Sequence, residues 1–223
     1  MKHFKFIDLL IGIVFTLLFI SVAVVVTINF RPLYYMDIHQ LHIEADSGID
    51  KAEIKQNYDA LIDYSSPFFK GDLKFPTLES SQSGLLHFAE VKTLFTDFYV
   101  LGAVTLLFGI IIIIRKAKNK DYGYLLVSAI TALVLPLLLG LYMSMNFEKA
   151  FIAFHKLFFN NNDWMFDPAT DPVIMILPED FFMHCAFLIV AIVVLFSAVF
   201  IGIYCWNKSH TGIRYRKNKG LKI

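Results

Sequence analysis

"LFTDFYVLGAVTLLFGIIIIIRKAKNK" (residues 94–120) joins an apolar run whose only charge is Asp97 to a six-residue segment with four cations. A helix rises 1.5 Å per residue, so 94–114 is long enough to cross a hydrocarbon core of about 30 Å. The basic segment behind it marks the cytoplasmic side. Three more runs of spanning length flank it, at 7–29, 122–145 and 182–206. A chain of 223 residues that is 57% hydrophobic and holds 23 Phe is too apolar for an ordinary soluble domain. The sequence therefore predicts an α-helical polytopic membrane protein with four transmembrane helices. The first run is a retained anchor, because it exceeds the 7–15 residues of a signal-peptide core and no small-x-small cleavage site follows.

Orientation follows from charge. Of the 20 Lys and Arg, 12 lie in the N-terminus (Lys2, Lys5), the 115–120 loop and the tail from Lys208 to Lys222, which places both termini in the cytoplasm. The opposite side holds loops 30–93 and 146–181, with 17 of the 19 acidic residues when Asp97 is included. The net charge of +1 hides this separation. Nucleic acid is not an expected partner, since topology and anionic lipid account for the basic tail. No repeat or low-complexity tract divides the chain, which reads as a single membrane domain, 1–223, with a mobile basic cytoplasmic tail, 207–223. A monomer is the favoured state.

The two outer loops read as a small α/β cap. In "RPLYYMDIHQLHIEA" (31–45) Pro32 ends the anchor helix, and the Tyr-rich run over 33–43 reads as a short strand. "SGIDKAEIKQNYDALIDY" (47–64) has helical apolar spacing, with Asp50 as N-cap and Glu53 at the capping-box position, and reads as a surface helix. Phe147, Phe151, Phe154 and Phe158 form a stripe that would lie on lipid as an interfacial helix, with His155 on its flank. Trp164 reads as a headgroup-level anchor. Val173 to Leu177 is a short β-like run, expected to pair with 33–43.

His87, about 10 Å before the second span, and His155 sit at the same expected membrane depth. Two imidazoles at one interface suit a general acid and base acting on a lipid ester. The same spacing also suits two amphipathic side chains with no chemical task. Glu90, three residues after His87, can share its helix face and fix its tautomer, or be a solvated charge. Tyr58 and Asn160, Asn161 and Asn162 are candidate hydrogen-bond donors to an oxyanion, although Asn is equally at home in turns. "DIHQLHIEAD" (37–46) carries His39, His42, Glu44 and Asp46, types that bind zinc, but without a zinc motif, and a strand would point the two histidines apart. Asp97 and His184 are further ionisable groups near span ends. No Gly-x-Ser-x-Gly or P-loop supports a serine hydrolase or a nucleotide-driven enzyme.

"SGLLHFAEVK" (83–92), "FHKLFFNNNDWMFDP" (154–168) and "DPVIMILPEDFF" (171–182) together resemble the Lit-type lipoprotein intramolecular transacylases of Gram-positive bacteria. The resemblance extends over nearly the whole chain. It implies an acyltransferase that moves an acyl chain from the sn-2 glyceryl ester of a diacylglyceryl-cysteine lipoprotein to the same cysteine's α-amino group, giving the lyso-form. It also implies a catalytic pair at His87 and His155, the histidines inside the matching motifs. Glu90 stands where the family pattern has an Asp. Glu90, Tyr58, Asn161 and Trp164 are then supporting residues, no metal or other cofactor is needed, and the partners are diacylglyceryl-modified lipoproteins and membrane lipids. The expected place is the cytoplasmic membrane, with the site at the outer leaflet. Two rivals are a metal-dependent membrane hydrolase built on His39, His42, Glu44 and Asp46, and a non-enzymatic scaffold whose acidic loops bind an exported partner.

Overall fold

In the computed structural model the structure describes residues 6–220, with side chains to residue 209. Lys2 and Lys5, which bear on orientation, lie outside them, as do residues 221–223 of the tail. The described residues form helices and no strand: α1 (Phe6–Asn29), α2 (Arg31–Gln40), α3 (Ile43–Ser47), α4 (Lys51–Ser65), α5 (Gln82–Lys118), α6 (Gly123–Met145), α7 (Phe147–Phe158), α8 (Val173–Ile176) and α9 (Glu179–Gly220). Four of them, α1, α5, α6 and α9, are long and apolar enough to cross a bilayer. The tail continues α9 in helical conformation as far as Gly220.

The chain divides into two compact units. One takes α1 up to Ser21, α5 from Leu101, α6 up to Leu138 and α9 from Val190. Its helices pack through rings and small residues. Phe15 meets Phe200 edge-on at 4.9 Å and Phe19 meets Phe196 at 5.2 Å. A Cβ on Gly12 would come within 2.6 Å of Thr131 Oγ1, so α1 and α6 approach at a position that only glycine leaves open. Lys116 at the end of α5 is held by Asp8 (2.8 Å) and Asp121 (3.0 Å), a partly buried cation shared between two carboxylates.

The second unit, Val22–Val100 with Leu139–Ile189, carries the cap. Its core is built from Tyr34, Ile38, Ile54, Tyr58, Val173 and Ile176, all at most 3% exposed. The expected α/β cap is incorrect: the 33–43 run forms α2 and the start of α3, and Val173 to Leu177 is the single turn α8 with its cap. Pro32 does more than end the anchor, since it occupies the first turn of α2, where its missing N–H costs nothing and its fixed φ favours the helix. Tyr34 and Ile38 then stand four residues apart on one buried face, with Asp37 beside them. The two runs still meet, through the Tyr34 hydroxyl donating to the Ile176 carbonyl at 2.6 Å rather than through a strand ladder.

Asp50 caps α4 by accepting from Ala52 N at 2.8 Å. The helix is no surface element, however, because Ile54, Tyr58, Leu61 and Tyr64 line the core. The α7 stripe divides in the same way: Phe154 and Phe158 are exposed, whereas Phe147 and Phe151 turn inward, and His155 is buried at 8% exposure.

Candidate functional site

Helix α5 begins well ahead of its apolar stretch, and His87 lies on this leading part, outside the 94–114 span. The start of α5 is tied down locally. Asp171, 3% exposed, accepts from Ser81 N at 2.8 Å and from Thr170 Oγ1 at 2.9 Å. Gly84 lies so close that a Cβ there would sit 2.2 Å from Asp171 Oδ1. His155 is presented by α7, which Asn146 caps by accepting from Lys149 N at 2.8 Å.

These elements bring the two histidines together, with ring centroids 5.7 Å apart at a 37° angle. His87 is 5% exposed, flanked by the Phe159 ring at 4.8 Å and Phe166 at 5.5 Å. His155 has the Phe151 ring at 4.2 Å and is stacked by Trp164 at 4.7 Å and 28°. Its Nδ1 is 2.8 Å from the Phe151 carbonyl, an acceptor only. Nδ1 therefore carries the proton, and Nε2 of the neutral ring keeps its lone pair. The Nδ1 atom of His87 is buried and has no hydrogen-bond partner among the described residues.

Burial lowers the His87 pKa to about 4, and the nearby His155 adds to the effect, because a charged imidazole is poorly solvated there and repelled by a second one. Burial also lowers the His155 pKa, opposed by its bond to the Phe151 carbonyl. Both rings are thus neutral near pH 7.

Both histidines open onto a cavity of about 400 Å³, within the range of ligand pockets, whose wall is nearly all apolar. Ile28, Phe95, Phe147, Phe182 and Ile189 line it, with the Tyr58 side chain among the few polar contributors. Burial raises the Tyr58 pKa, so its hydroxyl keeps its proton and remains a donor. Such a space suits an aliphatic chain with a reactive polar group at the histidine pair.

The other expected site residues are partly rearranged. Glu90 Oε1 accepts from Asn161 Nδ2 at 2.8 Å, so the carboxylate is not bonded to His87 as its i+3 spacing predicts. The second oxygen, Oε2, is buried without a partner among the described residues. Asn161 gives one of its two amide N–H groups to Glu90, and Asn160 and Asn162 are exposed. Trp164 stacks on His155 instead of serving only as an anchor, and its Nε1 donates to the Asn161 carbonyl at 3.1 Å. His184 is bonded through Nδ1 to buried Asp37 at 2.9 Å, and Asp97 is exposed. His39, His42, Glu44 and Asp46 are all exposed, and among the described residues no three His, Cys, Asp or Glu side chains converge on one metal-sized position. Sequence reasoning missed Asp171, Phe159 and Phe166. The Asp-Pro turns mark the 167–172 loop but carry no sign of where its carboxylate reaches.

The family model described as "Lipoprotein intramolecular transacylase Lit" matches residues 9–182. The solved membrane-integral lipoprotein intramolecular transacylase Lit of Bacillus cereus is 36% identical, with 93% of this chain and 98% of that one covered and a TM-score of 0.88. Two further structures of that enzyme carry one histidine replaced. The arginine form is 36% identical, with 93% and 95% covered and a TM-score of 0.82. The alanine form is 35% identical, with 93% and 94% covered and a TM-score of 0.84. Among curated proteins no match was found.

Proposed function

Since this chain belongs to the lipoprotein intramolecular transacylase Lit family, we propose that it transfers an acyl chain within a diacylglyceryl-cysteine lipoprotein, from the sn-2 glyceryl ester to the cysteine α-amino group. The observation that carries this reading is the pair of neutral imidazoles, 5.7 Å apart, at the wall of an apolar cavity. An ester donor on an aliphatic chain needs both a greasy space and proton carriers beside it. Donor and acceptor belong to one substrate molecule, so holding them in place supplies much of the rate gain without a cofactor.

In the proposed step the free amine attacks the ester carbonyl, and His155 Nε2 takes the proton that the amine loses. The attack forms the C–N bond; collapse of the tetrahedral intermediate then re-forms the carbonyl and breaks the ester C–O bond, while the proton taken by His155 passes by way of His87 to the glyceryl oxygen. The pair holds one added proton at a time, because two imidazolium rings at this separation would repel in a buried site. The proton lost by nitrogen ends on the new hydroxyl, and nothing else is consumed. Tyr58, one of the residues lining the cavity, is the proposed donor to the oxyanion.

The charge asymmetry supports both termini in the cytoplasm and the histidine site at the outer leaflet, within a single membrane domain spanning 7–29, 94–114, 122–145 and 182–206. Membrane lipid would then surround the exposed Phe154 and Phe158.

The test is an acyl inventory. Purified protein is incubated with diacylglyceryl lipopeptide in detergent containing isotope-labelled phospholipid, and the product is weighed by mass spectrometry. Transfer within the substrate leaves the total acyl count unchanged and incorporates no label. Label on nitrogen with both glyceryl esters intact would make phospholipid the donor and defeat the reading. Replacing His87 or His155 with Ala should lower the rate by at least about a hundredfold.

A further inference from the structure

Glu90 and Asn161 are 71 residues apart, and their contact begins a chain that ends on the reactive ring. Asn161 is fixed at three atoms. Its Nδ2 donates to Glu90 Oε1 at 2.8 Å, its Oδ1 accepts from Asp163 N at 3.1 Å, and its carbonyl accepts from Trp164 Nε1 at 3.1 Å. The indole so held lies 4.7 Å from the His155 ring at 28°. The bond from His155 Nδ1 to the Phe151 carbonyl sets the tautomer but still permits the ring to tilt about that contact. A fixed indole face removes the tilt and so decides where Nε2 points.

We propose that Glu90 is a positioning residue for His155, acting through Asn161 and the Trp164 ring, and not for His87, its neighbour on α5. The inference rests on the reading that His155 is the base of the acyl transfer. Its direction is opposite to the one local spacing favours, since Glu90 and His87 share a helix face while their hydrogen-bonding atoms are left apart: His87 Nδ1 has no partner and the carboxylate goes to Asn161. Retaining a buried Oε2 without a partner costs stability, and the polar group is held there nonetheless.

The test uses the full chain in detergent with histidine labelled for NMR and three variants, Glu90→Ala, Glu90→Gln and Trp164→Phe. Glu90→Ala releases Asn161, and the rate should fall on the order of ten- to a hundredfold at saturating substrate with KM little changed, the cost of a misaimed group. The His155 titration midpoint should rise toward that of a free imidazole as the indole cover loosens, while the His87 midpoint stays in place. Glu90→Gln should restore most of the rate, because the Gln amide oxygen accepts the same bond. Trp164→Phe keeps an aromatic face but removes the Nε1 donor, and should reproduce the Glu90→Ala effect in part. It also keeps the proposal testable if Glu90→Ala fails to fold. A Glu90→Ala protein whose His87 signal moves while His155 does not would overturn the proposal, as would wild-type behaviour of Trp164→Phe in both rate and His155 titration. Movement of His155 with an unchanged rate would uphold the positioning chain and instead remove His155 from the chemistry.

Discussion

Lowering the pH from 8 to 5 probes the neutral state on which the proposed proton transfers depend. An imidazole in water, with a pKa near 6.5, is roughly 97% protonated at pH 5, whereas one held at about 4 is roughly 9% protonated. The difference of about 2.5 pKa units corresponds to an energy on the order of 3 kcal/mol against charging His87 in its native surroundings. Burial is the larger cause and His155 the smaller. His155→Gln should therefore raise the His87 midpoint while leaving it below 6.5. The effect on stability has a definite sign. Between about 4 and 6.5 the unfolded chain binds more protons than the native one, so the His87 contribution is fully present above 6.5 and is lost as pH falls toward 4. The assay is a long-range nitrogen–proton NMR titration of histidine-labelled protein in nanodiscs, paired with thermal unfolding in detergent across the same range. The acid limb of the rate should follow the substrate's α-amine, with a pKa of about 7.7–8.0, because that group gains its proton before either histidine does. A wild-type His87 that titrates at or above 6.5 would refute this reasoning.

Gly84→Ala should destabilise the protein by about 1–3 kcal/mol, since the new Cβ would displace the Asp171 carboxylate that holds Ser81 N. An unchanged thermal midpoint in detergent would count against the tight approach. Tyr34→Phe should cost about 1–3 kcal/mol, because the Ile176 carbonyl, in the cap core, loses its 2.6 Å partner; a denaturation series on purified variant and wild type measures the difference. Reporter fusions at the two ends should show both in the cytoplasm, and an exported C-terminus would defeat the proposed orientation.

The apolar helices were legible because length and hydrophobicity are properties of a segment by itself, and α4 was legible because Asp50 and the apolar spacing are local signals. The cap was misread where local signals are weakest. The 33–43 run offers Tyr and Ile residues that suit a strand or a helix, and Val173 to Leu177 is too short for its period to decide. The outcome was set by burial: a helical α2 puts Tyr34, Asp37 and Ile38 on one covered face, where the Tyr34 hydroxyl reaches the Ile176 carbonyl. The fate of Trp164 was open for the same reason, since an indole serves equally well at a headgroup boundary or over an imidazole.

By itself the sequence determined the four apolar helices, the charge asymmetry between their connections, and the motifs containing His87 and His155, since each is written in neighbouring residues. Only the tertiary structure decided that two histidines 68 positions apart lie 5.7 Å from each other, that Asp171 anchors the start of the His87 helix, and that Glu90 turns to Asn161. A hydrogen bond depends on where two groups end up in space, and the folding of loop 146–181 against α5 gave the carboxylate a partner at 2.8 Å that helical spacing cannot foretell.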